Sequence, residues 1–218
     1  MGTGLTLQPG EERPPGLLVV LSGPSGVGKG TVVAHAMSVK EQAARRLKRS
    51  VSVTTRPRRP GERPGVDYLF VEPDEFQRMA SAGQLLEWAN YLDHDYGTPR
   101  DWVDQQLGAG YDVVLEIEVK GAMQVRERRP EAVLVYMCPP SWNALRQRLM
   151  RRRSETHDLQ QRRLEVARSE MGCIPEYDYL IVNDQVSRAA GLLLAILQAE
   201  RSRVSRCDVG ALLEADGV

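Results

Sequence analysis

Little in the bulk composition of this chain points to a partner. There is no surplus of charge, since 29 Lys and Arg balance 29 Asp and Glu, and a chain with no net basic field has no general pull towards nucleic acid. Lysine itself is scarce: it occurs at positions 29, 40, 48 and 120, and arginine supplies the remaining positive charge. Cysteine is limited to Cys138, Cys173 and Cys207. An odd number without metal-ligand spacing argues against a disulfide framework and for a reducing compartment, with the cytoplasm as the expectation. The longest apolar run, Ala189 to Ala199, is too short to span a bilayer and is followed by charge. No signal peptide and no internal repeat is visible, so neither a membrane nor a repeat architecture is expected. What remains is 218 residues, 42% of them hydrophobic, enough for one good core with room for appendages.

The order of the apolar runs sets the fold class. Leu17 to Leu21, Val113 to Ile117, Ala132 to Met137 and Tyr179 to Val182 alternate with helical patterns. That rhythm predicts an α/β architecture, a mostly parallel sheet with helices on both faces and ligands at the carboxyl ends of its strands. Residues 50 to 97 break the rhythm. Short strands are expected at Ser50 to Thr54, Asp67 to Glu72 and Leu85 to Tyr91 around a helix near Asp74 to Ser81, which predicts a small inserted lobe. After Ser141 a helix carries Leu145, Leu149 and several arginines; a second begins near Asp158, leaving Arg151 to His157 as a hinge or lid. A last helix, about Gln185 to Arg203, is expected to pack Leu192, Leu193, Ile196 and Leu197 on the core. Residues 1 to 16, rich in Gly, Pro and Glu, read as a flexible leader, and 205 to 218 as a tail.

Two segments carry chemistry. The first is GPSGVGKGT, from Gly23 to Thr31, entered from an apolar strand pattern and left through Val32, Val33 and Ala34. Gly23 and Gly28 let loop amides turn inward onto phosphate oxygens, the following helix offers its N-terminus, and Lys29 adds a mobile positive charge. Gly30 stands where the general pattern has a magnesium-ligating Ser or Thr, and the hydroxyl comes one place later, at Thr31. The second segment, SVSVTTRPRRPGERPGVDYLF from Ser50 to Phe70, sets hydroxyls, four arginines and a tyrosine on a proline-stiffened stretch. Guanidinium forks at Arg56, Arg58, Arg59 and Arg63 match phosphate oxygens. This reads as an anion receptor for a second substrate.

Together with LLEWANYLDHDYGTP (Leu85 to Pro99), VVLEIEVKGA (Val113 to Ala122), CPPSWNALRQRLMRRR (Cys138 to Arg153) and YDYLIVND (Tyr177 to Asp184), these segments resemble the guanylate kinases, nucleoside monophosphate kinases that move a phosphoryl group from ATP to GMP. The resemblance spans about Leu17 to Val204. It implies the P-loop kinase fold, with a core at 17 to 49 and 98 to 204, a GMP-binding lobe at 50 to 97 and a helical lid at about 149 to 163. It also implies the roles of individual residues. Gly23, Pro24, Ser25, Gly26, Val27, Gly28, Lys29, Gly30 and Thr31 would cradle ATP, with Asn183 near its adenine. Guanine presents N1-H and an N2 amine beside an O6 acceptor. By resemblance Glu87, assisted by Glu118, would face the two donors, and Ser52 and Thr98 would be the hydroxyls. Arg56, Arg59, Tyr68 and Tyr96 would hold the GMP phosphate, leaving Arg58 and Arg63 as solvated charges. Lys29, Arg148, Arg152 and Arg163 would be catalytic.

Magnesium is implied as the cofactor, bridging ATP phosphates, with Thr31 and Glu116 the candidate protein contacts. Glu116 and Glu118 both stand where the family commonly has Asp. The partners implied are ATP and GMP, without nucleic acid or membrane; oligomeric state and tolerance of dGMP stay open. Two other classes share parts of this pattern. One is a non-catalytic scaffold like the guanylate-kinase-like domains that bind peptides, which the intact loop with Lys29 opposes. The other is a kinase for a phosphorylated sugar, which would not require Glu87, Ser52 and Thr98 in that order.

Overall fold

The computed structural model describes residues 15–150 and 157–207. The leader up to residue 14, the tail from 208, the segment 151–156 and, with it, Arg152 and most of the expected hinge therefore lie outside the described residues. In chain order the elements are β1 (Leu18–Ser22), α1 (Lys29–Ser38), α2 (Gln42–Arg46), β2 (Leu47–Arg49), β3 (Val53–Thr54), β4 (Leu69–Phe70), α3 (Pro73–Ser81), β5 (Leu85–Tyr91), β6 (His94–Pro99), α4 (Arg100–Gly108), β7 (Asp112–Glu116), α5 (Val119–Arg128), β8 (Val133–Cys138), α6 (Trp142–Met150), α7 (His157–Met171), β9 (Tyr179–Val182) and α8 (Val186–Arg201).

Strands β2-β7-β1-β8-β9 form a parallel sheet in that order. β1 is wholly buried because helices cover both of its faces, and its alternate residues go to opposite cores. Val19 and Leu21 join Val114, Val135 and Met137 under α1 and α8. Leu18 and Val20 join Val113, Leu115 and Leu134 under α4 and α5. Since β1 lies between β7 and β8, the loop leaving it opens at the middle of the sheet's carboxyl edge. Helix α8 seats Ala189, Ala190, Leu193, Leu194 and Leu197 on the core, whereas Leu192, expected inward, is 44% exposed. The two alanines shift the packed face, since small side chains let helix and sheet approach. Among the described residues no helix is long and apolar enough to cross a membrane.

A second sheet, in the order β4-β3-β6-β5, stands where the inserted lobe is expected. Its first strands are shorter than the sequence suggests: β3 pairs with β4 through Val53↔Leu69 and Thr54↔Phe70 and with β6 through Val53↔Gly97 and Thr54↔Tyr96. β5 and β6 form a hairpin in which Glu87 faces Thr98 and Ala89 faces Tyr96. It turns at Leu92 and Asp93, both at positive φ, as a tight two-residue turn requires. Helix α3 begins at Pro73, carries Asp74 and Glu75 in its first turn in accord with the helix dipole, and buries Phe76 against Val53 and Leu85. Each such side chain contributes about 1.5–3 kcal/mol, too little for this lobe to order its own backbone without the main body. β6 runs to Pro99 and α4 starts at Arg100 with no loop between, so the expected boundary at residue 98 falls inside a strand.

Candidate active site

The glycine loop is built from below. Gly23 sits at φ 140°, and a Cβ there would stand 2.1 Å from the Met137 carbonyl oxygen of the neighbouring strand, so only glycine fits. Lys29 Nζ donates to the Gly23 carbonyl at 2.5 Å. The Val27 carbonyl accepts from Asn183 Nδ2 at 2.8 Å and Arg148 Nη1 at 3.1 Å, and Arg148 Nη2 donates to the Asn183 carbonyl at 3.1 Å. Loop, β9 terminus and α6 are thereby tied into one unit. Asn183 is 3% exposed and lies behind the loop, which differs from the expected approach to adenine. Thr31 is exposed on the cleft.

One cleft of about 650 Å³ runs from this loop to the second sheet. Of the expected residues, Pro24, Ser25, Gly26, Gly28, Lys29, Gly30 and Thr31 line its one end and Arg148 and Arg163 one wall. Ser52, Arg56, Arg59, Tyr68, Tyr96, Glu87 and Glu118 line the other parts, as does Glu116. Gly23, Val27, Thr98 and Asn183 stand behind that lining.

At the cleft floor Glu87 is 3% exposed and accepts a 2.7 Å hydrogen bond from Thr98 Oγ1 through Oε1. Its Oε2 presses on helix α5, where a Cβ on Gly121 would come within 2.3 Å of it. Burial pushes the Glu87 carboxyl up to about 7, against the Thr98 hydrogen bond and the Arg128 charge. Burial, reinforced by Glu170, holds Glu118 well above the carboxylate range. Glu170 at the end of α7 is itself lifted to about 7 by burial, against the Lys29 charge and a hydrogen bond from the Val119 backbone. Glu87 and Glu118 thus line the cleft with weakened acidity, suited to a ligand that brings hydrogen-bond donors.

The arginine-rich segment is organised by a residue that sequence reasoning missed. Glu62 accepts from Arg56 Nη2 at 2.7 Å and Nη1 at 3.1 Å, and from the Arg59 backbone N–H at 2.8 Å. Arg56 also lies over the Tyr68 ring at 5.4 Å, and Tyr68 meets Tyr96 edge-on at 6.0 Å. The guanidinium is aimed before any anion arrives. Arg58 and Arg63 are exposed, as expected. Across the cleft Arg163, 5% exposed, donates to Ser25 Oγ at 3.4 Å, and Arg162 reaches Asp93 of the hairpin turn at 4.0 Å.

A family model described as guanylate kinase matches residues 16–200. The chain belongs to the guanylate kinase family. It is 46% identical over 195 residues to a guanylate kinase of Desulfitobacterium hafniense, covering 89% of this chain and 96% of that protein. It is also 46% identical over 191 residues to one of Streptococcus agalactiae, covering 88% and 90%. In three dimensions it resembles the crystal structure of guanylate kinase from Anaplasma phagocytophilum, with a TM-score of 0.75 and 32% identity over 93% of this chain and 95% of that one.

For a guanylate kinase, the metal-facing residues need separate attention. Among the described residues no group of three or more His, Cys, Asp or Glu could hold an ion. Magnesium makes no such demand, because it keeps several waters and takes one or two carboxylates along with substrate phosphates. Glu116 suits that task. Its Oε1 lies 2.7 Å from Arg49 Nε yet is buried without an aligned hydrogen bond. Burial raises the Glu116 carboxyl while the Arg49 and Lys29 charges oppose the shift.

Proposed function

We propose that this chain transfers the γ-phosphoryl group of ATP to GMP, reversibly and by direct displacement without a covalent enzyme intermediate, yielding ADP and GDP in purine nucleotide metabolism. The observation that carries this reading is the single cleft joining the glycine loop to Glu87 and to the Arg56, Arg59, Tyr68 and Tyr96 group. Two anionic substrates laid along it meet end to end.

Direct transfer asks for alignment and charge neutralisation more than for covalent chemistry. The donor's phosphates lie on the amides of Gly23 to Thr31 with Lys29 beside them, and the acceptor's phosphate on Arg56, Arg59, Tyr68 and Tyr96. Lys29, Arg148 and Arg163 oppose the negative charge that spreads over the transferring group. Arg152, which falls outside the described residues, is assigned the same task. Glu87 with Glu118 accepts from N1-H and the N2 amine of guanine, and Ser52 faces O6. Adenine lacks these donors and would leave buried carboxyls unpaired, which rejects it by roughly 10⁴-fold. Thr98 acts through Glu87. Asn183 holds the loop in shape.

Thr31 and Glu116 are the residues that would face a hydrated magnesium ion. Such a cation would supply positive charge to offset that of the donor's phosphates. The three free thiols, Cys138, Cys173 and Cys207, support a reducing compartment, the cytoplasm. A coupled ADP-release assay with ATP and magnesium across GMP, dGMP, AMP, UMP, CMP and ribose phosphates tests the reading. Turnover with GMP far above the other bases is expected, and GMP left unconverted would overturn it.

A further inference from the structure

Gly30 and Glu116 meet across the glycine loop. A Cβ added at Gly30 would stand 3.2 Å from Glu116 Oε2 and 3.9 Å from Oε1, with Arg49 Nη2 at 4.0 Å. The two charged residues end neighbouring parallel strands: Glu116 closes β7 opposite Leu21 of β1, and Arg49 closes β2 opposite Val114. Both emerge at the carboxyl edge of the sheet, beside the start of α1, and both line the cleft.

An ion pair made only for stability would be expected to pair its oxygens fully. Here Arg49 approaches Glu116 Oε1 to 2.7 Å, but the oxygen is buried without an aligned donor. A buried acceptor left in that state is costly unless a ligand or water completes it. The longer carboxylate reaches into the space that any side chain at position 30 would fill. This is the place where the general loop pattern has a hydroxyl.

We propose that Gly30 and Glu116 are one size-matched pair, in which the glutamate carboxylate stands in for the missing loop hydroxyl towards the hydrated divalent cation, and that Arg49 is the positioning residue that steers it. This rests on the reading above, in which ATP binds on the loop with magnesium. Arg49 acts through Glu116; its charge is also felt at Tyr68, so GMP binding is the control that separates the two effects. A partner that orients a metal-facing carboxylate typically alters metal affinity by about 10–100-fold when removed.

The experiment is equilibrium binding of a non-hydrolysable ATP analogue to the full chain, titrated with Mg²⁺, with GMP binding measured in parallel. Arg49→Gln is expected to raise the half-saturating Mg²⁺ concentration about tenfold and to leave the GMP Kd within about twofold, while Arg49→Lys retains most of the effect of the native residue. The Arg49 side chain is 37% exposed, so these variants should fold. Gly30→Ser crowds the carboxylate and Glu116→Asp shortens its reach, so each alone raises the Mg²⁺ requirement. Combined, they restore both room and an oxygen, and the requirement returns to within about threefold of the native chain, a strongly non-additive cycle. Additive losses in the double variant would overturn the pair. A weakened GMP affinity with unchanged Mg²⁺ dependence in Arg49→Gln would overturn the role of Arg49. Either failure, with native GMP turnover intact, is distinct from failure of the kinase reading itself.

Discussion

Thr98 Oγ1 donates a 2.7 Å hydrogen bond to Glu87 Oε1, at a place where the threonine is fully buried and the glutamate nearly so. A single short hydrogen bond therefore fixes the rotamer of the carboxyl proposed to read the base. The register of the β5–β6 hairpin puts the two residues opposite each other, so on the proposed reading the specificity of the site is written into strand pairing.

Glu87→Gln should separate binding from stability. The amide cannot accept from both N1-H and the N2 amine, and the KM for GMP should rise by two orders of magnitude or more, far beyond Arg146→Ala on the exposed face of α6. The folded carboxyl holds its proton to about pH 7, whereas the unfolded chain loses it near 4.5. The native residue therefore costs stability as pH rises through that window. At pH 8 the variant should be more stable by about 2–3 kcal/mol, with the gain absent at pH 4, as thermal unfolding at both values will show.

The same weakened acidity of Glu87 predicts a pH-dependent acceptor affinity. Guanine donors prefer the ionised carboxyl, so the KM for GMP should climb up to tenfold per pH unit below about 7. The part owed to Glu87 should vanish in Glu87→Gln. A KM profile that is identical in both proteins would remove the argument.

Lys29→Ala should abolish turnover while leaving the melting temperature within a few degrees, because Lys29 points its ammonium at a loop carbonyl and not into the core. Circular dichroism melts alongside the coupled assay check this. Near-normal activity would rule out the donor site.

Asn183→Ala removes a 2.8 Å hydrogen bond to Val27 from beneath the loop. A lost buried hydrogen bond should cost about 1–3 kcal/mol and weaken ATP and GTP alike, since the effect passes through the phosphates. A loss confined to adenine nucleotides would mean that Asn183 touches the base after all.

Asp112→Ala tests stability far from chemistry. Asp112 is fully buried, accepts from the Leu17 backbone at 2.7 Å and pairs with Arg201 of α8. Stranding that arginine should cost roughly 3 kcal/mol in denaturant titrations, with kcat unchanged at a temperature where the variant is folded.

What could be read from the sequence follows from how each element is held. β1, β7 and β8 announce themselves because strands in the middle of a covered parallel sheet must be apolar on both faces, and β9, although it lies at the sheet edge with Leu180 and Val182 exposed, still reads as an apolar run. β2, reading Leu-Lys-Arg at the sheet edge, carries no such mark. Neither does β6, His-Asp-Tyr-Gly-Thr-Pro, whose extended form depends on pairing with β5. The loop at Gly23 to Thr31 is legible because its geometry is local. Glu62 and Gly121 were not, since one acts by aiming Arg56 and the other only by lacking a side chain against Glu87.

The direct passage from Pro99 of β6 into Arg100 of α4 leaves the second sheet with unequal arms. On one side residues 50–52 link the two sheets, with Ser50 N–H bonded to the Val114 carbonyl and the Ser52 carbonyl to Leu69 N–H; on the other a strand is welded to a helix that anchors Val103 in the interior. Any inward displacement of the hairpin would therefore be carried directly into α4, with no loop to absorb it.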